Sequence, residues 1–431
     1  MTSGAGVVTG AAGPRGLVRD PEFRRLLFTR FAAQWGDGVF RAGLAGAVLF
    51  NPERGANALA IAGGFAVLLL PYSVIGPFAG ALLDRWDRRR VLIFANLLRG
   101  VAILAAALAV GLGASGIGLF ALALAAEGMS RFIGSGMSAA LPHLVPPAGV
   151  VTANAFATTL GSVIAVIGGG CAIGLRALFG PDNAGSAWTT SFAILGTLAA
   201  AAVAARFRKG VLGPDTVDEP TNPVLAVARG FADGARHAWR APSVTAGFIA
   251  LFAHRASFGA SLLVTTLLMR NYFTNDGVFR AGLPGLGQMV ALGGAGLFLA
   301  GLLTSWLLRR FGRLRVVPGA LLLAALAQSA LGLPMLLPTA LLASFLITGA
   351  GQVLKLCVDS SIQLDVADEA RGRVFALYDT LFNLTQVIAV TLAALFVPDN
   401  GYSPGLLVAA TICYLLGGAG YLLATRRAAR A

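Results

Sequence analysis

The feature that most constrains this chain is the recurrence of apolar runs, each about 18 residues or longer, along nearly its whole length. Such a run carries a helix across ~30 Å of hydrocarbon. In lipid, only helices and closed barrels satisfy every backbone polar group. The composition agrees: 57% of the 431 residues are hydrophobic and 12% are charged, where an ordinary soluble domain carries about 25% charge. The sequence therefore predicts an all-α polytopic membrane protein.

Twelve spans are expected, at about 27–49, 57–83, 91–112, 116–141, 152–178, 186–205, 242–268, 285–308, 316–337, 339–363, 374–397 and 404–425. Their connections test the count. Arg24/Arg25, Arg85–Arg90, Arg206–Lys209, Arg309–Arg315, Arg371/Arg373 and Arg426/Arg427 fall on one side; Arg54, Arg176, Arg270 and Arg280 fall on the other. Short basic loops stay in the cytoplasm. The bias places both termini there, with the chain multi-pass in the cell membrane. It also accounts for the net charge of +14 through orientation and anionic headgroups rather than nucleic acid.

The expected organisation is a cytoplasmic tail (1–22), a six-span half (23–205), a cytoplasmic linker (206–240), a second six-span half (241–425) and a short tail (426–431). Pro214, Pro220 and Pro223 make the start of the linker non-helical. Residues 224–239 are compatible either with a helix on the membrane surface, with Phe231 and Trp239 as interfacial groups, or with a solvated tether. Sliding the sequence by 225 residues sets 80–90 (GALLDRWDRRR) on 305–315 (SWLLRRFGRLR), with Arg85/Arg310, Arg88/Arg313 and Arg90/Arg315 coincident. Both copies lie between the second and third spans of their half. Duplicated halves place a binding site on the pseudo-symmetry axis near the midplane.

Residues Gly80 to Arg90 resemble the signature loop of the major facilitator superfamily, Gly-x-x-x-Asp-Arg-x-Gly-Arg-Arg, with Asp87 where glycine is usual. Arg131-Phe-Ile-Gly134 resembles its fourth-helix arginine motif. Phe23-Arg-Arg-Leu-Leu with Gln34-Trp-Gly-Asp37-Gly, Pro77-Phe-Ala-Gly80, and Arg371 through Asn383 are similar to a bacterial branch that includes the enterobactin exporter. The resemblance covers about 20–425. It implies the major facilitator fold: two pseudo-symmetric six-helix halves, whose first and fourth helices line a central cavity, working by alternating access. It further implies a cytoplasmic gate at Gly80, Asp84, Arg85, Asp87, Arg88, Arg89 and Arg90, with Asp84 capping the eleventh span near Gly372–Arg373. One departure is that the fifth span has Gly161, Gly168, Gly169, Gly170 and Gly174 but no proline, unlike the fifth-helix motif of many drug–proton exchangers.

The chemistry lies in charges inside the spans, which cost ~2.5–3.5 kcal/mol each at mid-bilayer and so pair or face a cavity. They are Asp37 and Arg41 in span 1, Glu127 and Arg131 in span 4, His254 and Arg255 in span 7, and Lys355 and Asp359 in span 10. These are the cavity-lining helices that the resemblance implies. Asp37/Arg41, Glu127/Arg131 and Lys355/Asp359 stand four apart on one helix face, where they can neutralise each other; each pair is compatible with a structural role or a functional one. Asp37 is the candidate proton carrier, with Arg131 as its expected partner across the cavity. His254 is a second titrating candidate or a packing residue. Asp379, Asn383 and Gln386 form a polar stripe on span 11. Arg99 is expected to reach the headgroups from the inner end of span 3.

No nucleotide-binding loop, Gly-x-Ser-x-Gly or His-Glu-x-x-His occurs. Cys171, Cys357 and Cys413 lie far apart in three apolar runs, which suggests neither disulfides nor a metal site. The expectation is a monomeric secondary transporter, not an enzyme and without cofactor, exporting a small organic molecule against protons. A lipid or lysolipid flippase or an importer of the same fold is the rival within transport; a membrane sensor or partner subunit is the rival outside it.

Overall fold

The computed structural model describes residues 19–49, 58–83, 87–146, 150–213 and 223–428. Its helices are α1 (Pro21–Leu49), α2 (Ala58–Leu83), α3 (Arg88–Gly111), α4 (Ile117–Leu144), α5 (Val150–Phe179), α6 (Asn183–Ser191), α7 (Ala193–Ala204), α8 (Pro223–Arg240), α9 (Pro242–Asn271), α10 (Gly282–Phe311), α11 (Arg313–Ala327), α12 (Leu337–Asp365), α13 (Asp368–Ala394) and α14 (Pro404–Ala428). The sixth span is α6 plus α7. The ninth is α11 plus a π turn at Gln328–Gly332. Among the described residues, ten helical segments are long and apolar enough to cross a membrane; α1 carries its charges within 29 residues.

Local chemistry sets the joints. Asp87 caps α3 by accepting from the Arg89 amide at 2.9 Å. Asp182 caps α6 through the Gly185 amide at 2.7 Å. Gly312 joins α10 to α11 at φ +73°, a left-handed turn that suits glycine. The expected ninth span runs to 337, but its helix ends in a π turn at Gly332, with the Leu333 amide on the Gln328 carbonyl, and Pro334 beyond it has no N–H to continue the helix. The Gln328 side chain fills the space beside Gly332, and its Oε1 accepts from Ser261 at 2.7 Å.

In lipid, helices gain little from the hydrophobic effect and associate by close packing. The tightest seam in the first half is α1 on α5. A Cβ at Gly38 would lie 1.9 Å from the Ala165 carbonyl oxygen, and one at Gly168 would lie 2.3 Å from that of Trp35. Gly170 and Gly174 have nothing within 4 Å, so only part of the glycine run serves this seam. In the second half α9 packs on α14 and α10 on α12. The halves meet mainly along α2 and α13. At the arginine-poor end, Ala58 and Ile61 of α2, Leu263 and Leu267 of α9, and Val390 and Ala393 of α13 form one apolar cluster that joins them.

At the arginine-rich end the duplicated loops do equivalent work. Arg88 is buried; its Nη1 donates to the Ala139 and Leu212 carbonyls at 3.0 and 3.2 Å and lies 3.3 Å from His143 Nδ1. Arg313, its counterpart under the 225-residue shift, donates to Ser361 Oγ and Asp365 Oδ2 at 2.7 and 3.1 Å. Each arginine binds the end of the fourth span of its own half, where a cation suits the helix dipole. Arg89 reaches the Ala205 carbonyl just past α7 at 2.8 Å. Between the halves, α8 lies against α13: Asp233 pairs with Arg373, and Gly234 sits against the Arg373 carbonyl.

Candidate functional site

The first and fourth spans of each half bring the intramembrane charges inward, but the partners differ from those expected along single helices. Arg41 of α1 reaches across to Glu127 of α4, with Nε at 3.0 and 3.2 Å from the two carboxylate oxygens and Nη2 at 2.7 Å. Asp37 pairs with Arg99 of α3 and accepts from Ser130 Oγ at 2.8 Å. The same-helix pairing open to Asp37/Arg41 and Glu127/Arg131 gives way to bonds between helices. Facing helices bring a long guanidinium to a carboxylate at its own level, and two-point contact outweighs an i,i+4 approach. Lys355 does pair with Asp359 along α12, at 2.8 Å.

Arg99 is the main correction. Its side chain is 0% exposed, so it does not extend to the headgroups. The third span begins at Arg88, which puts Arg99 eleven residues in, about 16 Å along the axis at 1.5 Å per residue. That is too deep to snorkel, and its face turns to α1. Its partner Asp37 is 7% exposed at the side chain and Glu127 is 1%. Asp37 and Arg99 form a buried ion pair, and losing one partner of such a pair typically costs about 3–5 kcal/mol; in the other pair Glu127 is buried while the Arg41 side chain is 33% exposed.

Arg30 is a functional candidate that the sequence reading passed over. It is buried on α1 and donates to Thr158 Oγ1 of α5 at 2.8 Å and Ser138 Oγ of α4 at 3.1 Å. Its spacing of seven from Asp37 was the available signal, since that places both on one helix face.

In the second half, His254 is buried, with Nε2 3.0 Å from the Ile347 carbonyl of α12, to which it donates. Its ring packs on Tyr414 and Phe258 at centroid distances of 5.3 and 6.1 Å, and it approaches α12 closely because Gly351 has no side chain. Arg255 stacks its guanidinium over Phe382 of α13 at 3.8 Å and faces Phe258 at 5.6 Å. The Lys355 ammonium lies 5.6 Å over the Tyr378 ring. Asn383 donates to the Asp379 backbone carbonyl at 2.8 Å, so that amide is used within α13. The Asp379 carboxylate sits within electrostatic reach of Lys355 and Asp359 of its own half and Arg131 of the other.

The loop residues separate by role. Gly80 lies in the last turn of α2; Asp84 and Arg85 fall outside the described residues, and with them the expected cap on α13. Asp87, Arg88 and Arg89 act within the first half, as described above. Arg90 is 69% exposed at its side chain, and its nitrogen lies 3.9 Å from Asp87. Among the described residues no cluster of three or more metal-ligating side chains occurs.

The comparisons with known proteins agree with this architecture. Similar chains include uncharacterised MFS-type transporters of Mycobacterium tuberculosis (strain H37Rv) and Mycobacterium bovis, each 43% identical over 403 residues, covering 92% of this chain and 90% of the relative. Solved structures sharing the fold include a peptide transporter, POT (TM-score 0.73, 15% identity, 97% of both chains), and the nucleoside transporter NupG (TM-score 0.72, 11% identity, 93% of this chain and 99% of that one). A bacterial homologue of the human lysosomal transporter Spinster, solved inward-facing and unoccupied, aligns with TM-score 0.66 at 16% identity over 94% and 97% of the two chains. The family model of the Major Facilitator Superfamily matches residues 26–354; with its membrane helices packed around buried charge, this chain is a membrane transporter of that superfamily.

Proposed function

We propose that the protein is a proton-coupled exporter of a small organic molecule, working by alternating access in the plasma membrane with its termini in the cytoplasm. The observation that carries this reading is the charge set divided between the halves, in which Asp379 of one half lies within electrostatic reach of Arg131 of the other. Rocking one half against the other changes that separation, so charge balance and conformation are linked. The apolar cluster at the arginine-poor end is the closed gate of one state. On this reading Asp37 is the proton carrier: when Arg99 moves away the carboxylate takes a proton, and when it returns the proton leaves. Arg41, Glu127, Lys355 and Asp359 hold the neighbouring charges in balance, and the 80–90 loop and α8 belong to the gate.

Proteoliposomes containing the purified protein and a trapped pH-sensitive dye provide the test. A panel of small organic anions, cations and neutral compounds should include members whose addition moves protons. Asp37→Asn should abolish that movement while leaving membrane insertion intact. Unchanged coupling in this variant eliminates Asp37 as the carrier. A wild type that moves neither protons nor any compound sinks the exporter reading.

A further inference from the structure

Arg255 differs from the other interior cations named above. Arg41, Arg99 and Lys355 each have a carboxylate, and Arg30 has two hydroxyls. Among the described residues Arg255 has no carboxylate partner: it stacks on Phe382 at 3.8 Å, faces Phe258 at 5.6 Å and lies within electrostatic reach of Tyr378 and Tyr414, and its Nε is shielded from solvent without a hydrogen-bond partner. It lines a recess of about 60 Å³ together with Lys355, Gln352 and Thr348. Asp359 neutralises Lys355 at 2.8 Å, and Asp379 lies within electrostatic reach of Lys355 and Arg131. His254, beside Arg255 on α9, spends its Nε2 on the Ile347 carbonyl. The positive charge of the recess is therefore that of Arg255.

The recess is not isolated. Phe258, Leu297 and Thr348 line it and also line a cavity of about 420 Å³ between α5 of the first half and the helices of the second. Val166, Leu262, Met289 and Val290 make much of that wall apolar. Its volume lies in the range of drug-sized ligand sites, about 300–1,000 Å³. A small cationic end joined to a larger apolar body is the complement of an amphipathic anion. A guanidinium whose faces stack on rings still binds a carboxylate or similar oxyanion through its in-plane N–H groups.

Resting on the transporter reading above, we infer that Arg255 is the anion-recognising residue of the cargo site, and that the cargo is an organic anion with an apolar body. The anionic head docks on Arg255, with Gln352 and Thr348 as further hydrogen-bonding groups in the recess. The apolar body extends between the two halves.

Three probes with one carbon skeleton separate the head groups: 4-phenylbutyrate, 4-phenylbutyramide and 4-phenylbutylamine. Their binding to the purified full-length protein is measured by titration calorimetry, without transport. The carboxylate should bind at least about tenfold more tightly than the amide, and the amine most weakly. Arg255→Gln should erase the carboxylate preference and leave the amide affinity unchanged; Arg255→Lys should keep part of it. Phe382→Leu, which removes the stacking face but keeps the charge, should weaken all three probes and retain their order. This second variant and the wild-type ranking decide the matter if Arg255→Gln does not fold. Equal affinities for the three probes, no heat with the carboxylate, or an undiminished preference in folded Arg255→Gln overturns the inference. A carboxylate that binds as expected, in a protein that moves neither protons nor any compound across proteoliposomes, refutes the transport reading instead.

Discussion

The buried pair of Asp37 and Arg99 supports a quantitative prediction. Both side chains are removed from solvent, at 7% and 0% exposure, and Ser130 adds one hydrogen bond to the carboxylate. Asp37→Asn strands a guanidinium in the interior; Arg99→Gln strands a carboxylate. Each should cost about 3–5 kcal/mol, the usual penalty for orphaning a buried charge. The double variant Asp37→Asn/Arg99→Gln strands neither, so it should recover about 2 kcal/mol or more relative to the sum of the singles. Lys355 and Asp359 provide the contrast, since their side chains are 36% and 20% exposed; neutralising either should cost about 1 kcal/mol or less. The assay is thermal stability of the purified variants in detergent, followed by size-exclusion of the folded fraction. If the two singles are mild and their effects add in the double variant, the pair is not the buried, coupled unit described here.

Three further outcomes follow from the packing. Arg88→Ala removes a buried donor from the Ala139 and Leu212 carbonyls and should lower stability by about 1–3 kcal/mol, whereas Arg90→Ala at the exposed neighbour should change it by less than about 0.5 kcal/mol; thermal melts distinguish them. Gly168→Ala drives a methyl group into the Trp35 carbonyl and should cost about 1–3 kcal/mol, while Gly170→Ala, with nothing near, should be nearly silent in the same melt. Gly234→Ala places a Cβ 2.7 Å from the Arg373 carbonyl oxygen, so α8 must shift off α13. Limited trypsin digestion should then cut faster after Arg229 and Arg236, and an unchanged cleavage pattern would refute the close docking of α8.

The duplicated arginines show how far one sequence reaches. Matching Arg88 with Arg313 by a fixed offset identified two residues that each bind the end of the fourth span of their own half, Arg88 through a backbone carbonyl of α4 and Arg313 through side chains of α12. The family and the architecture were readable from that loop and from the apolar runs. Arg99 shows the limit. Its depth depends on where α3 begins, and a helix boundary at Arg88 rather than about 91 moves the residue relative to the membrane surface. Its partner depends on which face turns toward α1, which no spacing within one helix reveals.

The sequence by itself determined that the chain is helical and membrane-spanning, because hydrocarbon imposes backbone satisfaction on every apolar run. It also pointed to interior charge on the first and fourth spans of each half, though not on α3, where Arg99 is buried. Only the tertiary structure decided which charge meets which. Asp37 with Arg99, Glu127 with Arg41, and Arg255 with Phe382 are relations between helices. The physical reason is that an ion pair depends on a few ångströms of approach and on local dielectric, and both are set by how helices rotate and pack against one another rather than by position along any one of them.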